Sequence, residues 1–144
     1  MKKRILTSII VVIAITIVSV VFAAEQRYTS YVDMPGGSNL VGSSRKYSYK
    51  NHKISLIPTR LDFSKYDDKG GYVQVDIGLD KKGLIFWDDN VASGTIVLRE
   101  KNKTYTLKMG ARGSGTFRYT FYTGNANTWY GGFRADPVYM YSYE

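Results

Sequence analysis

His52 is the one histidine in the chain, so any histidine-based triad would have to use it. It lies in Lys50-Asn51-His52-Lys53, a polar stretch that reads as a hairpin loop and predicts a solvated imidazole with no convergent partners. Ser114 stands in Gly113-Ser114-Gly115, flanked by Arg112 and Thr116. That is not the Gly-x-Ser-x-Gly elbow, which also needs a strand before it and a helix after it; it reads as a flexible turn. Cysteine is absent, which excludes disulfides, thiol catalysis and cysteine-ligated zinc, and a zinc site with one histidine would need three carboxylates. Carboxylates come as Asp67-Asp68, Asp88-Asp89 and Glu100. Adjacent residues on a strand point to opposite faces, so neither doublet alone forms the facing pair of a glycosidase, and Asp is common in turns for backbone reasons. Asp88, Asp89 and Asn90 offer hard oxygen ligands suited to calcium, without the spacing of an EF-hand loop. The expectation is a non-enzymatic protein without metal or cofactor; catalysis would require two carboxylates facing each other across a cleft.

The residues that stand out are aromatic. All thirteen tyrosines follow residue 23, with five phenylalanines and both tryptophans. The C-terminal part concentrates them: Trp129, Tyr130, Phe133, Tyr139, Tyr141 and Tyr143, interleaved with Gly131, Gly132 and Arg134. In the last strand Val138, Met140 and Ser142 share one face and the three tyrosines the other. With the Val/Met face inward, the tyrosines form a rigid amphipathic surface suited to a sugar ring, a protein partner or a lipid interface. Trp87 beside Asp88 and Asp89 is a second place where an aromatic ring and carboxylates could hold a sugar. The candidate binding residues are therefore Trp129, Tyr130, Phe133, Arg134, Tyr139, Tyr141 and Trp87.

Strands must position them. Val73, Val75, Ile77 and Leu79 alternate with Gln74, Asp76 and Gly78, the period of a half-buried strand. Asp80-Lys81-Lys82-Gly83 supplies turn chemistry before a second apolar run at 84–87, which Asp88-Asp89-Asn90 breaks. Segments 95–99 and 104–109 read as a hairpin around the polar loop 100–103, with Tyr105, Leu107 and Met109 on one face. Segment 110–115, with three glycines, is a flexible connector. Phe117, Tyr119 and Phe121 then share a face over 116–122. A loop at 124–128 follows, then a short strand at 129–133 broken by its glycines, and a last strand at 138–143. Strands are also expected at 27–32, 46–50 and 53–61, with Pro58 marking an edge or bulge in the third. Helical periodicity is missing, and about eight short strands joined by Gly and Asx turns predict an all-β fold, an antiparallel sandwich or small barrel.

Before these strands, Lys2, Lys3 and Arg4 precede an uncharged run at 5–22. Val21 and Ala23 are the small residues a signal peptidase reads, so a signal-peptide helix over 1–23 is expected, cut after Ala23 or Ala24; an uncleaved membrane anchor is the alternative. Residues 24–44 then form an N-terminal strand and a Gly/Ser-rich loop or link, and 45–144 the sandwich body. Loss of the three N-terminal basic residues lowers the net charge from +8 to +5. The basic residues are scattered among acidic ones, without the stripe or motif of a nucleic-acid binder. In composition and export signal the chain resembles small exported β-sandwich proteins of Gram-positive bacteria, including bacteriocin-like ones that are basic, cysteine-free and tyrosine-rich. The expected function is an exported binding module acting through its aromatic surface on a cell-envelope glycan or surface protein. A bacteriocin-like, membrane-active protein attracted to an anionic membrane surface is the alternative.

Overall fold

The computed structural model describes residues 24–124 and 129–144. The expected signal helix over 1–23 and most of the loop at 124–128 lie outside the described residues. What is described is all-β, with ten strands in place of about eight. They are β1 (Glu25–Met34), β2 (Asn39–Val41), β3 (Arg45–Tyr47), β4 (Asn51–Asp62), β5 (Lys65–Asp67), β6 (Gly70–Lys82), β7 (Trp87–Leu98), β8 (Tyr105–Ala111), β9 (Gly115–Tyr122) and β10 (Gly132–Tyr143). A four-stranded sheet has the order β1-β10-β4-β8. The six-stranded sheet centres on β6 and β9: β7 and β5 pair with β6, and β2 and β3 with β9. Every pairing is antiparallel. Among the described residues no helix is long and apolar enough to cross a membrane.

The alternation read from the sequence places the core. Val73, Val75, Ile77 and Leu79 of β6 and Phe117, Tyr119 and Phe121 of β9 are buried, facing Ile54 and Leu56 of β4 and Val138 and Met140 of β10. Pro58 marks the expected irregularity: the β10–β4 register shifts there, and β8 pairs with β4 only as far as Leu56.

Several expectations change. Segments 95–99 and 104–109 do not form a hairpin: β7 pairs with β6 and β8 with β4, so the chain crosses from one sheet to the other. The crossing is tied down by the Tyr105 hydroxyl, which accepts the N–H groups of Arg99 and Glu100, and by Asn102 N–H donating 2.7 Å to the Pro58 carbonyl. Two amphipathic strands satisfy their alternation equally well side by side or facing each other across a core. Here they face: a Cβ on Gly94 of β7 would come within 2.9 Å of the Leu107 side chain of β8. The apolar run 84–87 is not a strand of its own. Lys82 pairs with Trp87, so β6 continues through the expected turn, β7 through Asp88-Asp89-Asn90, and Leu84, Ile85 and Phe86 sit on the hairpin tip. The Gly/Ser-rich stretch 34–44 contributes β2, which pairs with β9.

His52 corrects the loop reading most sharply, being fully buried at 0 % exposure. The short links 48–50 and 112–114 join the two sheets at one end of the sandwich, where Arg112 and Gly113 N–H donate to the Lys50 carbonyl. Under that closure His52 Nε2–H donates 2.8 Å to the Gly113 carbonyl, and its ring packs 4.4 Å from Phe117 and 5.2 Å from Tyr47, centroid to centroid. Burial lowers its pKa from the ordinary 6.5; the bond to Gly113 opposes this, and the charges of Lys81 and Arg112 add to it. The unfolded chain therefore binds a proton at a pH where the folded one does not, so the contribution of His52 to stability is complete above about pH 6.5 and is lost as pH falls below that value. The melting temperature should drop between pH 7 and pH 5.5, and His52→Gln should flatten that slope, as read by thermal unfolding at the two pH values.

Candidate functional site: a trough on the outer face of the six-stranded sheet

The outward residues of β6 are Gln74, Asp76, Gly78 and Asp80, the complement of its core set. Pairing aligns them with outward residues of three neighbours. Asn39, Tyr122, Asp76 and Thr95 form one row across β2, β9, β6 and β7, and Val41, Thr120, Gly78 and Ser93 form the next. The second row is low at its centre, because Gly78 and Ser93 are small. The result is an open cleft of about 600 Å³ lined by both rows and by Asn90. Asn90 and Thr120 close over Gly78: a Cβ there would lie 2.2 Å from Asn90 Oδ1 and 2.5 Å from Thr120 Oγ1, so both side chains would have to move. Asp76 is held in place by the Thr95 hydroxyl, which donates at 2.6 Å.

A third row, Arg118 and Asp80, lies next to the trough and supports Asn90 at its edge. Asp80 is buried at the β6–β7 bulge, where its carboxylate accepts from Asn90 N–H at 2.9 Å and from Arg118 Nε at 3.0 Å. Asn90 has φ 52°, a left-handed conformation that Asn tolerates better than most residues, and this aims its amide over Gly78. The Arg118 guanidinium stacks 4.2 Å over the Trp87 ring and reaches Asp89 at 3.7 Å. The Trp87–Asp88–Asp89 combination expected to hold a sugar is thus engaged by Arg118 on one face of its ring. Among the described residues no three His, Cys, Asp or Glu side chains converge in a way that could hold a metal ion.

The other expected site residues fall in separate places. Tyr139 and Tyr141 lie on the outer face of the four-stranded sheet, with Tyr143 in the same alternating row and Val138, Met140 and Ser142 buried behind. Their ring centroids are 6.1 Å apart, with Arg27 over Tyr139 and Lys53 over Tyr141 and Tyr143. Arg134 is exposed on β10 and pairs with Asp33 and Asp136. Trp129 is half exposed at the other end of the sandwich, packed over Gly36, and Lys65 lies 4.4 Å over the Tyr130 ring. Phe133 is a correction: it is 0 % exposed and pairs inward with Leu61 and Met34, so it belongs to the core and cannot meet a ligand. The aromatic residues therefore do not form one surface.

The trough residues carry no motif. Their one sequence signal is the outward glycine in mid-strand, Gly78, since such a glycine marks close approach.

No protein-family model matches the sequence, and no curated protein sequence matches it. Among solved structures the chain is similar to a family two carbohydrate esterase from Cellvibrio japonicus, with 10 % identity and a TM-score of 0.39; the match covers 84 % of this chain and 36 % of that one. This chain thus spans about a third of that protein's length.

Removing the buried carboxylate should loosen the third row. Asp80→Ala should cost about 2 kcal/mol, the scale of hydrogen bonds to a charged group, whereas Asp89→Ala should cost no more than about 0.5 kcal/mol because that pair is exposed. Urea unfolding of both variants measures the difference.

Proposed function

We propose that the protein is an exported, non-enzymatic binding module that holds a neutral glycan of the cell envelope in this trough. The observation that carries the reading is the pair of rows across β2, β9, β6 and β7. They present a carboxylate (Asp76), carboxamides (Asn39, Asn90), hydroxyls (Ser93, Thr95, Thr120) and one aromatic wall (Tyr122) to an open cleft of about 600 Å³. Vicinal sugar hydroxyls suit a carboxylate beside an amide, and the apolar face of a sugar ring suits a tyrosine. The cleft volume falls within the range of small-ligand sites. Among the described residues no Lys or Arg lines the trough, which disfavours phosphate or another anion. Among the described residues Asp76 is the one carboxylate in the lining, whereas glycoside hydrolysis uses two. Export is supported by the basic residues 2–4 and the apolar run 5–22.

The row of Tyr139, Tyr141 and Tyr143 favours a second reading, in which a protein or glycan docks on the outer face of the four-stranded sheet. Lys53 and Arg27 occupy positions over these rings, so a ligand there would displace or share them.

Retention on purified Gram-positive cell walls separates the two. Asp76→Ala and Tyr122→Ala should each weaken retention about tenfold or more, equivalent to at least about 1.4 kcal/mol, with far-UV circular dichroism unchanged. Tyr141→Ala should leave retention intact. Loss in Tyr141→Ala alone would move the site to the tyrosine row, and wild-type retention in all three variants would overturn both readings.

A further inference from the structure

The end of the sandwich closed by links 48–50 and 112–114 gathers three features that neither the trough nor the core uses. The first is the β6–β7 tip. Gly83 N–H donates 2.8 Å to the Phe86 carbonyl, and Leu84, Ile85 and Phe86 project into solvent, the least exposed of them, Phe86, at 76 %. Apolar residues exposed singly are ordinary, but three in succession on one protruding turn mark an interaction site.

The second is charge. Lys46, Lys50, Lys82 and Arg112 are exposed at this end, and none has an ion-pair partner among the described residues. Lys81 joins them, donating to the Arg112 carbonyl at 3.2 Å. Of the nearby carboxylates, Glu25 is paired with Lys53 and Asp89 with Arg118, which leaves Asp88 and Glu144.

The third is where the chain enters. β1 begins at this end: Glu25 pairs with Tyr143, and the Ala24 carbonyl accepts from Glu144 N–H. The apolar run 5–22 therefore stops two residues before Ala24, within about 7 Å of chain at full extension.

We propose that this is the membrane-facing end of the domain, with Leu84, Ile85 and Phe86 entering the interface of an anionic bilayer while Lys46, Lys50, Lys82 and Arg112 meet its headgroup phosphates. An apolar tip ringed by Lys and Arg is the composition that binds such surfaces. A second copy fits less well, because it would bring two basic ends together. The trough row Asn39–Tyr122–Asp76–Thr95 lies toward the far end of the six-stranded sheet, so it stays open while the tip is docked; the inference does not depend on what the trough binds.

The two tryptophans report on the two ends. Trp87 sits at the base of the tip and Trp129 at the opposite end. The full chain is reconstituted in phosphatidylglycerol/phosphatidylcholine vesicles containing lipids brominated near the headgroup, as Trp129→Phe to read Trp87 and as Trp87→Phe to read Trp129. Trp87 should be quenched and Trp129 should not. Leu84→Asp with Phe86→Asp, placed in the Trp129→Phe background, should abolish the Trp87 quenching, and pure phosphatidylcholine should weaken it. The changed side chains are exposed, and near-UV circular dichroism of the tyrosine-rich core checks that the fold is retained. Equal quenching of the two tryptophans, absence of quenching at Trp87, or Trp87 quenching that survives the double substitution would overturn the proposal. So would a concentration-dependent dimer that forms through the tip without lipid contact.

Discussion

Strand β6 serves two faces at once, and the rest of the molecule is arranged around that double duty. Val73, Val75, Ile77 and Leu79 are buried at 1 % exposure or less, each contributing about 1.5–3 kcal/mol of transfer free energy. A slip of one residue against β7 or β9 would turn that apolar set outward and put Gln74, Asp76 and Asp80 into the core. The cost of burying unpaired carboxylates makes such a slip prohibitive. The register that protects the core is thus the same register that lines up Asn39, Tyr122, Asp76 and Thr95 across four strands. The trough is a by-product of core packing on one strand, which is why it can be rigid without a dedicated scaffold.

The two ends of the sandwich handle polarity differently. At the end where the links cross, polar groups are buried among aromatic rings. His52 lies against Phe117 and Tyr47, and burial pushes the phenols of Tyr47 and Tyr119 well above their ordinary pKa. Neutral forms are favoured inside, while Lys46, Lys50 and Arg112 stay in solvent around them. At the other end, charges pair at the surface: Arg60 bridges Asp33 and Asp62, and Arg134 adds Asp33 and Asp136. Exposed pairs of this kind contribute little stability individually. The asymmetry that matters is the surplus of basic groups beside the apolar tip that have no ion-pair partner among the described residues.

Much of this was legible residue by residue where one strand decides its own faces. The inward set of β6, the inward Phe117, Tyr119 and Phe121 of β9, and the split of β10 into a Val/Met side and a tyrosine side all follow from alternation alone. What misled was locality. His52 lies between lysines and asparagine, yet its strand carries it under the closed end of the sandwich. Leu84, Ile85 and Phe86 read as a strand because they are apolar, but the pairing of Lys82 with Trp87 leaves them on a turn. The trough was invisible because its residues are ordinary polar strand positions 39, 76, 95, 120 and 122, meaningful only once four strands lie in register.

The sequence by itself determined the all-β class, the reliance on an apolar core without disulfides, and which face of each long strand is buried, since composition and period-two alternation act within a single strand. Only the tertiary structure decided which strands pair, that β7 and β8 face each other across the core, and which outward residues become neighbours. Those choices depend on contacts between residues far apart in sequence, such as Gly94 with Leu107 and Asp80 with Arg118. No local pattern encodes them, because an amphipathic strand presents the same alternation to every partner it could take.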